Sequence, residues 1–298
     1  MPLTECTTTV DIDGRELLEH GTLAFPIACY EDDFRLTDVP WHWHEEWEAV
    51  RITRGSCLVA AGNHKAVLHA GDGFFVHSGA LHGCWDTEGS GCMFHSLVFH
   101  PRLVGGSLDS IFHQQFVQPL LEHTGPELIV LKPDVPWQQQ ALGAIEQAWQ
   151  DFVLEQAGFP FLVRNALSEL TWLLHSNLSP GVSSVRSKDL RDAQRIKAML
   201  SCIHSRYGSE LNTADIAASA SVSESECLRC FRSTIGTTPI QYLKQYRIQQ
   251  AARMLTESRD RVSDIAVTCG FQDMSYFTRV FREITGFSPT EYRKNASP

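Results

Sequence analysis

The sequence contains no apolar run approaching the ~18 residues that a membrane-spanning helix needs, so a transmembrane protein is not expected. Its N-terminus lacks a basic stretch followed by an apolar core, which argues against a secretory signal peptide. The nine cysteines, an odd number, are scattered without the short spacings of a disulfide framework. These absences together predict a protein of the reduced cytoplasm.

Basic residues are also scarce, since 25 Lys and Arg stand against 35 Asp and Glu for a net charge of −10. An acidic excess argues against nucleic-acid binding if the charge is spread evenly along the chain. Residues 1–185, however, hold 8 basic and 23 acidic side chains, whereas residues 186–298 hold 17 and 12. The length of 298 residues suits about two domains, and the uneven charge predicts that the C-terminal one is basic.

The last third of the chain contains an internal repeat. Asp215-Ile216-Ala217 returns as Asp264-Ile265-Ala266 with an offset of 49 residues, and the later matches have an offset of 50. Those later matches pair Phe231 with Phe281, Gly236 with Gly286, Pro239 with Pro289 and Tyr242 with Tyr292. Two copies are too few for a solenoid, so the repeat predicts two helix-turn-helix units that bind DNA. A helical scaffold that binds another protein is the alternative.

Each copy contains signals for a short helix, a turn and a second helix. In the first copy Thr213 is expected to cap the short helix, and Ser223 with Glu226 has the spacing of a capping box for the second. The matching signals in the second copy are Ser263 for the cap, Gly270 for the turn, and Gln272 or Asp273 for the start of the second helix. We therefore expect the same local structure twice.

The second helix of each copy has one buried and one outward side by helical spacing. The predicted buried residues are Cys227, Cys230 and Phe231 in the first copy and Phe277, Val280 and Phe281 in the second. The predicted outward residues are Ser225, Leu228, Arg229 and Arg232, and then Ser275, Thr278, Arg279 and Arg282. Outward arginines beside small or apolar side chains suit the major groove, where Arg binds guanine and an apolar group meets the thymine methyl. The Cys227 and Cys230 pair is interpreted as small buried hydrophobes rather than as a metal or redox site.

The N-terminal part has a different pattern. Residues 21–100 contain short β-prone runs separated by glycines, which predicts an antiparallel barrel or sandwich. Two amphipathic helical segments follow, and they form either a coiled-coil-like dimer contact or a cap on the barrel of the same chain. We expect an α+β protein of two domains. Its segments are a cupin-like barrel at 1–136, a helical pair at 137–178, a linker at 179–188 and a DNA-binding domain at 189–298.

Eight of the thirteen histidines lie within residues 42–100. The period-two alternation of a strand places His42 and His44 on one face. With Glu48 and His82 from neighbouring strands, three imidazoles and one carboxylate are expected to converge, a donor set that suits zinc, iron, nickel or manganese. The alternative is polar lining of an effector pocket without a metal. The further candidates for that pocket are Trp85 and His95.

Residues 188–294 resemble the DNA-binding domain of the AraC/XylS family of bacterial transcription regulators. The resemblance rests on ADIAASASVSESECLRCFRSTIGTTPIQYLKQYRIQQAARML in the first copy and SDIAVTCGFQDMSYFTRVFREITGFSPTEYR in the second. It implies seven helices, with a long helix from about Pro239 to Thr256 between the two units and recognition helices ~34 Å apart in successive major grooves. The implied base readers are Ser225, Leu228 and Arg229, then Ser275, Thr278 and Arg279. The expected phosphate contacts are Arg232, Arg282, Lys244, Thr213 and Ser263.

The N-terminal histidines resemble a cupin. His42, His44, Glu48 and Gly55 match the motif H-x-H-x(3)-E-x(6)-G. The residues that match the second motif are Gly71, Gly79 and His82, with His77 where cupins usually have proline.

The two resemblances together imply a ligand-responsive transcription regulator that is not an enzyme. The expected partners are double-stranded promoter DNA, a small effector such as a sugar, RNA polymerase and a second copy of the chain. Activation is the usual behaviour of the family, and repression is the alternative. The competing interpretation is a cupin metalloenzyme, such as a dioxygenase or sugar isomerase, that carries a DNA-binding appendage.

Overall fold

The structure is a computed structural model that describes Thr8 and residues 10–11, 14–34, 39–87, 89–122, 125–178 and 187–296. The chain divides into two compact units, of which the first contains residues 15–191 and the second residues 192–298. Most of the predicted linker, residues 179–186, lies outside the described residues. Its last two residues, Ser187 and Lys188, already belong to a helix. The change from sheet to helix along the chain confirms the expected α+β class.

The first unit is built on two antiparallel sheets. Its strands are β1 Ile27–Asp33, β2 Val39–His42, β3 Trp47–Arg54, β4 Ser56–Ala61, β5 His64–His69, β6 Gly73–Val76, β7 His82–Asp86, β8 Met93–Phe99 and β9 Leu128–Leu131. The sheet orders are β1-β8-β3-β6-β9 and β2-β7-β4-β5. Local sequence sets these turns: β4 and β5 pair Ala61 with His64 across Gly62-Asn63. Gly62 has φ 54° there, a conformation that suits a two-residue hairpin.

The two sheets enclose a shared apolar layer. Val50, Ile52 and Phe74 from the five-stranded sheet belong to one buried cluster with Val59 and Leu68 from the four-stranded sheet. The facing sides of the two sheets are both apolar, so they bury each other. The arrangement agrees with the predicted barrel or sandwich.

The other face of the five-stranded sheet is covered by helices. They are α1 Arg102–Gly105, a π-helical segment His113–Val117, α2 Gln118–Leu121, α3 Pro136–Leu154 and α4 Phe159–Asn177. Ile145 and Phe152 of α3 and Leu170 of α4 share a buried cluster with Trp47 of β3 and Phe99 of β8. The helical pair therefore packs on the sheet of its own chain. Leu162, near the start of α4, is exposed.

The second unit is helical. Its elements are α5 Ser187–Arg206, α6 Thr213–Ser219, α7 Glu224–Cys230 with a π-helical continuation Phe231–Ile235, α8 Pro239–Glu257, α9 Val262–Thr268, α10 Met274–Thr285 and α11 Pro289–Ala296. These are the seven helices that the family resemblance implies. The long helix was expected at about Pro239 to Thr256 and differs by one residue at its end. Among the described residues, no helix combines the length and apolarity needed to cross a bilayer.

Candidate functional site

The two helix-turn-helix units have the same hydrogen bonds at their turns. Ser221 has φ 54° and Gly270 has φ 79°, and each donates its N–H to the carbonyl three residues earlier. The next residues, Val222 and Phe271, donate to Ala217 and Ala266. The offset is 49 up to this point, whereas the N-caps of the second helices, Ser223 and Asp273, are 50 apart. The residue gained in the second copy is therefore Gln272.

The expected caps of the two short helices were wrong. Asn212 is the N-cap of α6: its side chain accepts the Asp215 N–H at 2.9 Å, and the Asp215 carboxylate accepts the Asn212 N–H at 3.0 Å. Thr213 is the first helical residue instead. In α9 the N-cap is Arg261, which makes no side-chain capping bond, and Ser263 lies inside the helix. Asn212 has the extended backbone and short acceptor side chain that a cap requires, and it precedes Thr213 by one residue.

The second helices present the faces that the sequence predicts. Cys227, Cys230 and Phe231 are fully buried, and so are Phe277 and Phe281, with Val280 nearly so. On the opposite side Ser225, Ser275, Thr278 and Arg279 are exposed and Leu228 is half-buried. Burial raises the pKa of Cys227 to about 11, which keeps it a thiol at neutral pH and agrees with its interpretation as a small hydrophobe.

Arg229 of α7 is bound to two carboxylates. Its Nε lies 2.9 Å from Glu226 Oε2, and its NH2 lies 2.8 Å from Glu226 Oε1 and 2.7 Å from Asp192 Oδ2 of α5. Asp192 is 3% exposed, and Arg195 NH1 lies 3.3 Å from its other oxygen. The hydrogen bonds of Glu226, and then those of Asp192, raise the pKa of Arg229 above its ordinary value. The arginine expected to face outward is thus held against α5.

Asp192, Glu226 and Cys230 also place three ligand atoms within 4.8 Å of one another, a spacing that a metal ion could use. Arg229 NH2, however, lies within hydrogen-bond distance of both carboxylates and 3.4 Å from Cys230 Sγ. A guanidinium nitrogen therefore occupies the position that a cation would take.

Arg279, the counterpart of Arg229 in α10, has a different setting. Its guanidinium lies over the Tyr276 ring, 5.4 Å from the centroid, and Tyr276 occupies the position of Glu226 in the repeat. In the part of the chain that the structure describes, no carboxylate lies within ion-pair distance of Arg279. Its hydrogen-bond donors face solvent, because the side chain is exposed.

The other basic candidates lie at the surface of the second unit. Arg232 is exposed, Lys244 is half-buried, and Arg282 is exposed with its NH2 3.3 Å from Glu291 Oε2. An exposed ion pair of this kind contributes little and is readily exchanged for another anion. Arg282 can therefore leave Glu291 without uncovering a buried charge.

In the first unit, the four residues predicted to converge do so. His42 ends β2, His44 follows it, Glu48 lies on β3 and His82 begins β7, with His42 and His82 directly opposite each other in the sheet. One ligand atom from each of the four lies within 4.8 Å of the others. The three rings are almost fully buried.

The three histidine rings each direct Nδ1 to a backbone carbonyl. Nδ1 of His42 lies 2.9 Å from the Pro40 carbonyl, and Nδ1 of His82 lies 2.9 Å from the Ala80 carbonyl. Nδ1 of His44 lies 3.2 Å from the Glu46 carbonyl. A carbonyl only accepts, so each Nδ1 carries a proton, and each Nε2 presents a lone pair to the centre of the cluster when its ring is neutral.

The centre contains buried polar atoms without hydrogen-bond partners. These are Nε2 of His44, Nε2 of His82 and Oε2 of Glu48. His82 Nε2 lies 2.8 Å from Glu48 Oε2, which is an ion-pair distance, and His44 Nε2 lies 3.8 Å from the same oxygen. The other Glu48 oxygen accepts from Ser96 Oγ at 2.9 Å. Inward lone pairs supported from behind by carbonyls are the donor set that a divalent transition metal requires.

Burial and the mutual contacts of the clustered residues shift their pKa values. Burial, and then the charge of His82, lowers the pKa of His42 to about 3. Burial alone would lower the pKa of His82, but contact with Glu48 reverses this direction. Burial alone would raise the pKa of Glu48, but contacts with His44 and then with His82 reverse it. The pKa of His82 therefore lies above its ordinary value, and that of Glu48 well below.

Two residues of the cluster were missed. Glu16 Oε2 lies 3.0 Å from His20 Nε2 and 3.8 Å from His42 Nε2, and both side chains are buried. His20 also bonds the Tyr30 hydroxyl at 2.9 Å. Glu16 enters because its N–H donates to the Trp43 carbonyl, which places residues 15–20 beside the histidines. The sequence contains no signal for this, since the segment precedes the predicted strands.

Two predicted pocket residues lie elsewhere. Trp85 is three residues after His82 on β7, so it points to the opposite face, and its ring packs on Trp41 at 5.2 Å between centroids. His95 stacks on Trp149 of α3 at 3.5 Å, with Nδ1 3.0 Å from Glu146. Both therefore lie outside the histidine cluster, and their contact with an effector stays a prediction. An open cleft of about 450 Å³ is also separate from it. Its lining includes Leu23, Phe25, Arg102, Phe161 and Arg164.

Comparison with known proteins gives matches to both units. Residues 24–159 match the sequence model of the AraC-like ligand binding domain, and residues 216–295 match that of a helix-turn-helix domain. Over 289 residues the chain is 29% identical to the uncharacterized HTH-type transcriptional regulator YdeC of Bacillus subtilis, covering 96% of this chain and 97% of that protein. It is 25% identical to the HTH-type transcriptional activator RhaS of Pectobacterium atrosepticum, covering 87% of this chain and 89% of that protein.

Two solved structures are similar in part. The DNA-binding domain of AdpA, in complex with a target DNA, is 30% identical, and the match covers 34% of this chain and 90% of that chain with a TM-score of 0.32. Apo ToxT from Vibrio cholerae is 14% identical, and the match covers 93% of this chain and 99% of that chain with a TM-score of 0.40.

Proposed function

The chain belongs to the AraC family of transcription regulators, with an effector-binding domain and a DNA-binding domain, and from this we propose how its residues divide the work. The recognition helices α7 and α10 enter major grooves. In α10, Ser275, Thr278 and Arg279 contact base edges. The observation that carries this proposal is the exposure of all three residues on a helix whose other face is buried. Ser225, Leu228 and Arg229 hold the matching positions of α7.

Phosphate contacts come from a second set of residues. Arg232, Arg282 and Lys244 are the basic members, and Thr213 and Ser263 contribute hydroxyl groups although neither is a cap. Contacts of this kind fix the register of the protein on the duplex but carry no sequence information.

The DNA proposal is tested with two arginines that are three residues apart on the same helix. Arg279→Ala is expected to cost roughly 1–3 kcal/mol of binding free energy and to relax the preference at one base pair. Arg282→Ala is the matched control, and it should weaken binding to operator and random duplexes alike. Fluorescence anisotropy titrations on both duplexes measure the two effects. Equal losses on both duplexes in both variants would contradict the groove assignment.

We propose further that the effector acts at the histidine cluster and that His42, His44, Glu48 and His82 hold a divalent metal there. Three inward Nε2 lone pairs and one carboxylate oxygen support this proposal, because they converge in a buried site where two of the ring nitrogens and that oxygen have no hydrogen-bond partner. A metal in that position would supply a Lewis acid to which an oxygen-bearing effector, a sugar for example, could bind. The residues of the chain orient the rings through the backbone carbonyls and exclude water.

The metal proposal is tested by elemental analysis of protein purified without a histidine tag. We expect about one divalent metal per chain in the native protein and loss of that metal in His44→Ala. The matched control is His64→Ala, whose ring is exposed on β5. DNA binding should survive in both variants, since the second unit is unchanged. A metal-free wild-type protein after incubation with zinc, iron, manganese and nickel salts would rule out the site. Stoichiometric metal with turnover of a small molecule would favour the metalloenzyme instead.

We propose, finally, how the protein assembles and how it acts on transcription. The protein acts as a homodimer through the exposed face of α4, and it activates transcription by contact with RNA polymerase. The exposed apolar side chains of α4 support the first point, and the relatives named as activators support the second. The effector shifts the equilibrium between two arrangements of the protein that differ in DNA affinity.

A further inference from the structure

Arg229 and Arg279 occupy the same position in the two recognition helices but have different partners. Arg229 is bound to Glu226 and Asp192, whereas Arg279 lies on the Tyr276 ring and keeps its donors in solvent. We infer that Arg229 is a positioning residue that fastens α7 to α5, and that the guanine contact of this protein is made by Arg279 alone of the two. The inference rests on the proposed placement of both helices in major grooves.

The carboxylates occupy most of the N–H donors of Arg229. A guanidinium carries one N–H on Nε and two on each terminal nitrogen. Glu226 accepts from Nε and NH2, and Asp192 also accepts from NH2. Of the five N–H groups of Arg229, these two carboxylates leave unused only the two on Nη1. A bidentate contact with guanine O6 and N7 needs donors from two nitrogens along one edge of the guanidinium. Arg229 cannot offer such an edge while both carboxylates are bound.

To contact a guanine, Arg229 would first have to leave Glu226 and Asp192. The ion pair with Glu226 is partly exposed and contributes little. Asp192 is different, because its side chain is 4% exposed. Release of Arg229 would leave that buried carboxylate with one cation, Arg195 at 3.3 Å, and the Cys230 thiol at 3.8 Å. Uncovering a buried charge is strongly unfavourable. Arg229 therefore stays in place when DNA binds.

The bonds of Arg229 fix the position of α7 against α5. Asp192 lies on α5 and Glu226 on the first turn of α7, so the guanidinium joins the two helices through residues that are 34 positions apart in sequence. Ser225, which is exposed, and Leu228, which is half-buried, are the neighbours of this joint on α7. Small movements of α7 would displace both from the base edges. In the first unit, therefore, Arg229 acts through the position of Ser225 and Leu228, and the apolar Leu228 suits a thymine methyl.

The test uses the full-length protein and an operator duplex selected by it from a random pool. Each guanine of the operator is replaced in turn by 7-deazaguanine, which lacks the N7 acceptor, and each thymine by uracil, which lacks the methyl group. Dissociation constants are measured by anisotropy for the wild type, Arg279→Ala, Arg229→Ala and Arg229→Lys. Every replacement gives a penalty, the factor by which affinity falls.

We expect Arg279→Ala to weaken operator binding about 5- to 150-fold and to abolish the 7-deazaguanine penalty at one guanine. Arg229→Ala should keep every 7-deazaguanine penalty of the wild type. It should reduce a thymine-to-uracil penalty in the half-site of the first unit, because α7 is loosened. Arg229→Lys should recover part of that uracil penalty, since it returns a cation to the two carboxylates. A general loss of stability would not shift one half-site selectively.

The inference is overturned if Arg229→Ala loses a 7-deazaguanine penalty that Arg279→Ala retains. If the alanine variant does not fold, Arg229→Lys replaces it in the same comparison, because lysine cannot make the bidentate contact. A wild-type protein with no penalty for any replacement has a separate meaning. It would overturn the placement of the helices in major grooves, and the inference with it.

Discussion

Ser221 and Gly270 hold the same turn position in the two helix-turn-helix units, and both have positive φ. An L-residue in this conformation costs roughly 1–2 kcal/mol, whereas glycine has no such penalty. A side chain at Gly270 would also place its Cβ 2.7 Å from the Tyr207 carbonyl oxygen and 2.8 Å from an Arg247 nitrogen. The two units thus share one turn geometry, but only the second has neighbouring atoms that leave no room for a side chain at the turn position.

The exchange of these two residues gives a prediction at the residue scale. Ser221→Gly should raise the free energy of unfolding by about 0.5–1 kcal/mol, since relief of the backbone exceeds the added chain entropy of glycine. Gly270→Ser should lower it by about 2 kcal/mol or more because strain and overlap add. Urea unfolding followed by circular dichroism measures both. If both substitutions shift the midpoint in the same direction, this account of the turn is incorrect.

At the scale of the element, α6 depends on reciprocal hydrogen bonds at its N-terminus. Asn212 and Asp215 satisfy each other's backbone N–H groups, which a seven-residue helix cannot do from within. The equivalent helix α9 begins without a side-chain cap and depends instead on a buried cluster that includes Ile265, Ala266 and Phe277.

A substitution series distinguishes the cap from its neighbour. Asn212→Ala should cost about 1 kcal/mol of unfolding free energy, because the Asp215 N–H loses its acceptor. Thr213→Ala, one residue further along, should change stability by less than about 0.5 kcal/mol. The shift of the urea midpoint in each variant is the measurement. A larger loss in Thr213→Ala than in Asn212→Ala would restore Thr213 as the cap.

At the scale of the whole molecule, α4 has two faces. Its buried residues join the core below the five-stranded sheet, whereas Phe161 and Trp172 are 73% and 53% exposed. Their spacing of eleven residues places them on one side of the helix, about three turns apart. Large aromatic side chains are enriched at the centres of protein interfaces. This side of α4 is therefore the expected dimer contact.

The corresponding prediction concerns self-association. Phe161→Asp and Trp172→Asp should each weaken dimerisation about tenfold or more, because each removes a buried aromatic contribution of roughly 1.5–3 kcal/mol. Leu154→Asp is the control, since Leu154 is 62% exposed at the end of α3. Sedimentation velocity over a concentration series provides the dissociation constants. A wild-type protein that stays monomeric throughout, or an equal effect of Leu154→Asp, would exclude this surface.

Local patterns were sufficient to predict much of the protein. The repeat, the helix periodicities and the alternation of His42 with His44 follow from spacing alone, because one residue's direction fixes that of its near neighbours. For the same reason the buried stripes of α7 and α10 were predicted correctly. The extent of α8 came instead from the family resemblance, and it differs by one residue at its end.

Only the tertiary structure decided what depends on distant parts of the chain. Trp85 and His95 point away from the cluster because the opposite face of each of their strands is directed to it. Glu16 reaches the cluster from a segment that has no strand pattern in the sequence. Arg229 is restrained by Asp192, 37 residues earlier. Spacing specifies a direction relative to the local backbone, but the partner that meets a side chain is set by packing between elements, and hence by contacts that no local pattern contains.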